Sequence, residues 1–439
     1  MNDTGGRHGL TMSGPLAVVV ANNAGEDMSE AKTDPMAKAA QTGDAAWLRR
    51  RFPTVEDLRR GAKRRIPRFA FDYLDGNAND EHGARRNLSS LAGIELLPRY
   101  SVDLDNISYE TELFGRKYAA PFGVAPMGSP GLIWPGAERL IATEAQKRKV
   151  PYILASPTNA TIEEIAPLVP DVFWFQLYRF PRNEHKITDD LVRRADNAGA
   201  HVLVMTVDTP LGLKRPRDIR NGLSIRSPFR FGPREIYELA TSPAWCLRVL
   251  DQGIPYLGNL GPYAGPNPDR HSTAQVMARE NGGSHRWDEI ARMRDIWKKP
   301  LVLKGIVHPK DAERAASLGV DGIVVSNHGG RNFDGGPATI DMLPAVHAAV
   351  GTRITILFDS GVRCGLDVVR AVALGAKAAL VGRPFLYGLG AVGNAGAAHV
   401  MDMFFEELRG EFSHLGARNV ADVAAAETRH PTAWRYGTN

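Results

Sequence analysis

Cysteine is nearly absent: Cys246 and Cys364 are the only two in 439 residues. That excludes a disulfide framework, and without a CxxC or a Cys/His cluster it also excludes a zinc module. A reducing cytoplasm is the expected compartment. No apolar run approaches the roughly 20 residues of a spanning helix. The apolar stretch PLAVVVA (15–21) lacks a basic leader, so it reads as neither signal nor anchor. No aromatic residues interleave with the basic clusters at base-stacking spacing, and no RNA-binding signature occurs. A basic nucleic-acid-binding protein is thus a remote reading.

What is present is an ordinary folded composition, 43% apolar and 23% charged, with 44 glycines. The net charge of +5 is concentrated in LRRRF (48–52) and LRRGAKRRIPR (58–68). Such a pattern fits a solvated helix face or attraction to an anionic membrane surface.

Residues 1–45 have no sustained periodicity and read as a mobile extension. From Val55 the apolar positions Leu58, Ala62, Ile66, Phe69 and Tyr73 recur every three or four residues, which predicts a helical segment. Eight short apolar runs follow: PFGVAPM (121–127), PYILAS (151–156), VFWFQLY (172–178), HVLVMTVD (201–208), PLVLKGI (300–306), GIVVSNHGG (322–330), TILFDSGV (355–362) and AALVGRPF (378–385). Near-continuous apolar runs mark strands buried on both faces, and the intervening segments have helix length. The predicted fold is an α/β (β/α)8 TIM barrel spanning 46–425, with a C-terminal tail over 426–439. About 90 residues separate the fourth and fifth runs, so an insertion is expected over about 222–285.

Barrel enzymes place their chemistry at the C-terminal ends of the strands. There the sequence puts Gln176 and Tyr178, Thr206 and Asp208, Lys304, Ser326 and His328, Asp359, and Gly382 with Arg383. Any one of these could be a satisfied core polar group, but their shared location makes coincidence a poor explanation. Gly361, Arg363, Gly382 and Arg383 fall where barrels bind phosphate. His328 is a candidate base if Asp208 accepts its other ring proton, and Arg215 and Arg331 supply two guanidinium groups suited to a carboxylate. A phosphate-binding barrel without flavin satisfies much of this as well.

The stretch SNHGGRNFDGGPATIDMLP (326–344) resembles the signature of the FMN-dependent 2-hydroxy acid oxidases and dehydrogenases. The likeness extends through FAFDYLDGNANDE, APMGSPGLIWPGAE, ILASPTNATIEEIAP, TVDTPLGLKRPRDIRNG and DSGVRCGLDVVRAVALGAKAALVGRPFLYGL, covering roughly 52–425. The resemblance implies FMN as cofactor and oxidation of an (S)-2-hydroxy acid to the 2-oxo acid. It implies that Tyr73, Tyr178, Arg215 and Arg331 hold the substrate carboxylate and hydroxyl. His328 is then the base, oriented by Asp208, and Lys304 is a cation near the flavin N1 side. Gln176, Thr206 and Ser326 match flavin-contacting positions, and Pro126, Met127 and Gly128 match the backbone lining the ring. Asp359 matches the ribityl contact, while Gly361, Arg363, Gly382 and Arg383 match the phosphate end. Ala155 replaces a flavin-contacting serine of many members, with Ser156 beside it. Gly128 and Pro157 stand where bulkier groups narrow the pocket in relatives, so larger 2-hydroxy acids are expected to outperform glycolate. The segment 227–260 is similar to the insertion of membrane-associated members: Phe229, Phe231, Ile236, Tyr237, Leu239, Trp245, Leu247, Val249 and Leu250 would supply apolar surface to a membrane interface and Arg226, Arg230, Arg234 and Arg248 would face anionic headgroups, a lid packed over the barrel being the other reading. It implies a peripheral, cytoplasmic-side dehydrogenase passing electrons to a quinone, the alternative being a soluble oxidase that reduces O2 to H2O2. A homo-oligomer, a tetramer in the family, completes what the resemblance implies.

Overall fold

The computed structural model describes residues 45–210, 214–223 and 232–436. The extension expected over 1–45 lies outside them except for Ala45, as do Arg226, Phe229, Arg230 and Phe231 of the insertion.

Eight parallel strands close into a barrel: β1 (Phe122–Val124), β2 (Tyr152–Ala155), β3 (Phe173–Leu177), β4 (Val202–Thr206), β5 (Leu301–Ile306), β6 (Gly322–Val325), β7 (Thr355–Phe358) and β8 (Ala378–Val381). Each strand pairs with its sequence neighbours, and the register Ala379↔Phe122 joins β8 to β1. Side chains are buried along nearly the whole of every strand. That is why the strands appear in the sequence as apolar runs rather than as alternating patterns. The ladders stop earlier than the runs do, so Tyr178, Asp208, Ser326, His328 and Asp359 stand in the loops just past the strand ends. Beneath the opposite end, a hairpin pairs Thr111–Leu113 with Arg116–Tyr118. Its Tyr118 hydroxyl accepts from the Trp174 indole at 2.9 Å, and His201 meets the Phe114 carbonyl at 2.9 Å.

Ahead of the barrel lie α1 (Ala45–Arg51), α2 (Val55–Arg65), α3 (Arg68–Asp75) and α4 (His82–Ala92). The continuous helical spacing from Val55 to Tyr73 is in fact two helices. Pro67 has no N–H for the ladder and disfavours helical backbone in the residue before it, and Ile66 is extended at φ −106°, ψ 156°. The break turns α3 so that Tyr73 reaches the barrel mouth. The Thr54 side chain caps α2 by accepting from the Asp57 N–H at 3.2 Å.

Between β4 and β5, α5 (Pro233–Ala240) and α6 (Pro243–Gln252) form an excursion over the protein surface. Helix α7 (Arg383–Val392) follows β8 and packs on α2, where a Cβ added to Gly390 would lie 2.9 Å from the Ala62 Cβ. Only glycine permits that approach. The segment past residue 425 is tied down: Thr428–Arg429 pairs antiparallel with Glu95–Leu96, and the Trp434 N–H donates to the Asp341 carbonyl at 2.8 Å.

Candidate active site

His328 follows β6 and has φ 58°, a left-handed backbone uncommon for a residue with a side chain and frequent at functional positions. Gly329 and Gly330 continue the turn at φ 69° and 79°. At Gly330 a Cβ would lie 2.6 Å from the Ala84 nitrogen, so glycine is required there. The loop thereby turns the imidazole back over the barrel mouth. His328 Nδ1 lies 3.0 Å from Asp208 Oδ1, and Nε2 lies 3.3 Å from the Tyr178 hydroxyl. With Nδ1–H donating to Asp208, Nε2 carries a lone pair. Burial pushes His328 below the ordinary histidine range, and the Asp208 carboxylate pulls it only part of the way back. Burial alone would raise Asp208, but His328 and Lys304 hold it ionised below its usual value. The ring therefore rests neutral, with a carboxylate ready to stabilise its cation. Burial pushes the Tyr178 hydroxyl up to about 12, so it remains a proton donor.

Around this pair the strand-end residues interlock. Lys304 Nζ lies 2.9 Å from Asp359 Oδ2 and donates to Ser326 Oγ at 3.0 Å. Burial disfavours the Lys304 cation, but the carboxylates of Asp359 and Asp208 outweigh it and raise its pKa. Gln176 donates to Thr206 Oγ1 at 2.7 Å, and Ser156 Oγ accepts from the Tyr178 N–H at 3.1 Å. Across the mouth, the Tyr73 hydroxyl donates to the Gly128 carbonyl at 3.1 Å. A Cβ at Gly128 would meet only ordinary contacts, with Pro157 Cγ at 3.6 Å and the Tyr73 oxygen at 3.8 Å. Pro126 and Met127 complete the loop after β1, and Met127 Cγ approaches the Cβ position of Gly382 at 3.8 Å.

Cations gather on the same side. The Arg331 guanidinium lies 5.2 Å from the Tyr73 ring centre and donates to the carbonyls of Tyr73 and Gly76 at 2.8 and 2.7 Å. Arg215 donates to the Arg331 carbonyl at 3.2 Å, and its nearest carboxylate, Asp218, is 3.9 Å away. Burial and the neighbouring Arg331 bring Arg215 down to about 10. Arg383 is half-buried and enclosed by backbone carbonyls. Its donors go to the carbonyls of Leu74, Gly76 and Gly329 and to Asn77, and among the described residues it has no ion-pair partner. Burial, with Arg331 and Arg363 nearby, lowers it to about 9. Arg363 is engaged locally, donating to the Val362 carbonyl at 3.0 Å, and Gly361 turns beside it at φ 106°.

These observations test the fit to FMN. An enclosed guanidinium without a carboxylate lacks the anion that a phosphate supplies. A buried lysine beside Gln176, Thr206 and Ser326 offers the donors and acceptors that a polar flavin edge requires. Asp208 Oδ2 is buried without a hydrogen-bond partner. The residues present fit the group.

Every site residue named from the sequence lies at or beside the barrel mouth, and the supporting ring around them was not read there. Asn332 donates to the Asp208 backbone carbonyl at 2.5 Å and accepts from Arg215 at 3.4 Å, bridging the loop after β4 to Arg215. Asp75 collects Arg59, Arg217 and Tyr387. Buried Glu138 accepts from Thr158 Oγ1 at 2.8 Å and the Asn159 N–H at 2.7 Å, shaping the loop after β2. Asn332 stands inside the stretch NFDGG, where its polarity was a visible signal.

The family model described as FMN-dependent dehydrogenase matches residues 62–430. An L-lactate dehydrogenase of Pseudomonas syringae pv. syringae (strain B728a) is 39% identical over 374 residues, covering 85% of this chain and 97% of that protein. One from Caulobacter vibrioides (strain NA1000 / CB15N) is 40% identical over 375 residues, 84% and 96% of the two chains. Among solved structures, the monotopic membrane protein (S)-mandelate dehydrogenase superposes with TM-score 0.80 at 31% identity, covering 85% of this chain and 98% of its own. Mandelate oxidase with (S)-4-hydroxymandelic acid gives 0.74 at 34%, covering 86% and 99%. With a histidine paired to a carboxylate, a buried lysine among polar strand-end residues and an arginine without a carboxylate partner in one barrel mouth, and a family match over most of its length, this chain belongs to the FMN-dependent dehydrogenases.

Proposed function

We propose that this protein oxidises an (S)-2-hydroxy acid to its 2-oxo acid and passes the electrons from FMN to a membrane quinone. The observation that carries the reading is the neutral His328, backed by Asp208, beside the half-buried guanidinium groups of Arg215 and Arg331. Arg215 and Arg331 grip the substrate carboxylate, with the Tyr73 and Tyr178 hydroxyls on its oxygens. That places the C2 hydroxyl at His328 Nε2, which takes its proton and returns it to solvent after turnover. Asp208 balances the imidazolium while it lasts. The Gly361–Arg363 and Gly382–Arg383 loops would hold the phosphate of FMN, and Lys304, Gln176, Thr206, Ser326, Ser156 and the backbone of Pro126–Gly128 would hold its ring; when bound, it would supply the acceptor for the C2 hydrogen with its electron pair. Asp359 would hold its ribityl chain. Gly128 and Pro157 leave room beside C2, so a panel of acids should rank mandelate-sized or longer-chain substrates above glycolate by about tenfold in kcat/KM.

Replacing either arginine tests the grip. Arg215→Met and Arg331→Met should each lower kcat/KM by about 10- to 150-fold, the loss of a charge-assisted hydrogen bond worth about 1.5 to 3 kcal/mol. Steady-state kinetics checks this, and unchanged KM and kcat in both variants would remove the carboxylate grip.

The acceptor assignment draws on α5 and α6. One side of this pair packs inward: Trp245 is buried and donates to the Leu132 carbonyl at 3.1 Å, while Leu239 and Val249 join the core. These three are therefore not membrane-facing as the sequence reading had them. Arg234 bonds Glu238 and Arg248 bonds the Pro135 carbonyl, so neither is a free headgroup contact. Ile236, Tyr237, Leu247, Leu250 and Ile254 remain exposed, Leu250 at 81%. An exposed apolar row on a short helical pair suits an interfacial position, in keeping with the likeness to a monotopic membrane protein. Among the described residues no helix is long and apolar enough to cross a membrane. The likeness to mandelate oxidase favours the second reading, an oxidase reducing O2 to H2O2. Cell fractionation with parallel quinone-analogue and oxygen assays separates the two. The protein should sediment with membranes and prefer the quinone, and Leu247→Glu/Leu250→Glu should move it to the supernatant while substrate still reduces its flavin. Fast peroxide production from wholly soluble wild-type protein would decide for the oxidase. By the same resemblance the assembly is a cytoplasmic-side homo-oligomer, a tetramer.

A further inference from the structure

Away from the barrel mouth, a cavity of about 350 Å³ lies between α2 and the junction of α5 with α6. Its lining includes Arg51, Arg60, Arg64 and Arg65 with one carboxylate, Asp57. Four guanidinium groups against one lining carboxylate make a cationic cluster that the flavin site does not use. Arg60 meets Glu56 at 3.5 Å and Asp57 at 3.7 Å, contacts too exposed to hold its charge firmly. Arg65 lies 4.8 Å from the Trp134 ring centre and Arg51 lies 5.7 Å from that of Phe52, so aromatic faces hold these two in place. The opposite wall is the start of α6 at Pro243 and Ala244, where Ser242 provides no side-chain cap. The helix start on that wall adds to the preference of an arginine-lined cavity for an anion.

We propose that this cavity binds the phosphate headgroup of an anionic phospholipid. Its chemistry would take any phosphate ester. What favours a lipid is continuity, because α6, whose start lines the cavity, carries Leu247 and Leu250, and α5, which leads into that junction, carries Ile236 and Tyr237, exposed at 66%, 81%, 60% and 69%. Apolar side chains in the acyl boundary with arginines at the phosphate level is the arrangement of an interfacial anchor. The cavity then fixes how the enzyme sits on the membrane as well as how strongly it binds. This inference rests on the membrane association proposed above.

The test is flotation of the FMN-loaded enzyme with vesicles of phosphatidylcholine alone and of phosphatidylcholine with phosphatidylglycerol. Wild-type protein should bind the anionic vesicles at least about tenfold more tightly. Arg60→Glu/Arg64→Glu should lose that preference while keeping its binding to phosphatidylcholine and its turnover. Arg182→Glu/Arg193→Glu, an equal charge change on exposed residues elsewhere, should keep the preference. Retention of the full preference by the cavity variant, or an equal loss in the control, would overturn the site while leaving membrane association standing. Loss of the preference on adding inorganic phosphate at constant ionic strength would make the cavity a free-phosphate site instead. Wild-type protein that floats with neither vesicle would remove membrane association, and this site with it.

Discussion

His328→Gln should keep its FMN and lose flavin reduction by substrate by a factor of about 10³ to 10⁴. Glutamine preserves a polar side chain of similar reach but cannot take a proton. It leaves untouched the loops of Gly361, Arg363, Gly382 and Arg383 at the phosphate end. The Nε2 lone pair is available because Asp208 accepts the Nδ1 proton at 3.0 Å and because burial keeps the ring neutral. The same lowering gives a pH signature. The working form is the unprotonated one and its pKa lies below the ordinary histidine value, so wild-type kcat/KM should hold steady down through that range and fall only at more acidic pH. Anaerobic stopped-flow measurement of flavin bleaching reads both effects. Bleaching of the variant at the wild-type rate would refute the assignment of the base.

Asp75→Asn should destabilise the protein by about 3 kcal/mol at neutral pH, toward the low end for a broken buried ion pair because its partners keep some access to water. The Asp75 carboxylate accepts from Arg59 at 2.6 and 2.9 Å, from Arg217 at 2.8 Å and from the Tyr387 hydroxyl at 2.7 Å. It thereby joins α2, α3, α7 and the loop after β4. Burial opposes the charge, but these donors win and hold Asp75 far below the usual carboxylate range. For a carboxylate whose folded-state pKa is depressed, the contribution is present above the unfolded value and lost as pH falls toward the folded one. The stability gap between wild type and variant should thus be widest near neutrality and narrow as pH drops below about 4. Denaturant unfolding at several pH values measures it, and a gap that stays constant with pH would mean that the charge contributes nothing. Because Gly76, next to Asp75, gives its carbonyl to both Arg331 and Arg383, the variant should also loosen substrate binding.

Parallel strands buried on both faces read directly as apolar runs, so the eight-stranded closed barrel was legible before any coordinates. The polar residues at the ends of the third to eighth runs pointed to the mouth, because elsewhere the barrel wall is packed with apolar side chains. Pro67 was equally visible, but an unbroken three-and-four spacing ran through it and masked the turn between α2 and α3. Asp75 could not be read at all, since its partners lie 16, 142 and 312 residues away and nothing local marks the pairing. Which side of the insertion faces outward was hidden for a related reason. Its apolar residues divide into Trp245, Leu239 and Val249 facing inward and Leu247 and Leu250 facing out, and only the surface they pack against decides which is which.

The most direct test of the flavin and hydroxy-acid site is the visible spectrum of the purified protein under anaerobic titration with the two enantiomers of mandelate and of lactate. The protein should be yellow, and the (S) enantiomers should bleach its flavin band while the (R) enantiomers leave it unchanged. A colourless protein that cannot be loaded with FMN, or a flavin that no 2-hydroxy acid reduces, would contradict it.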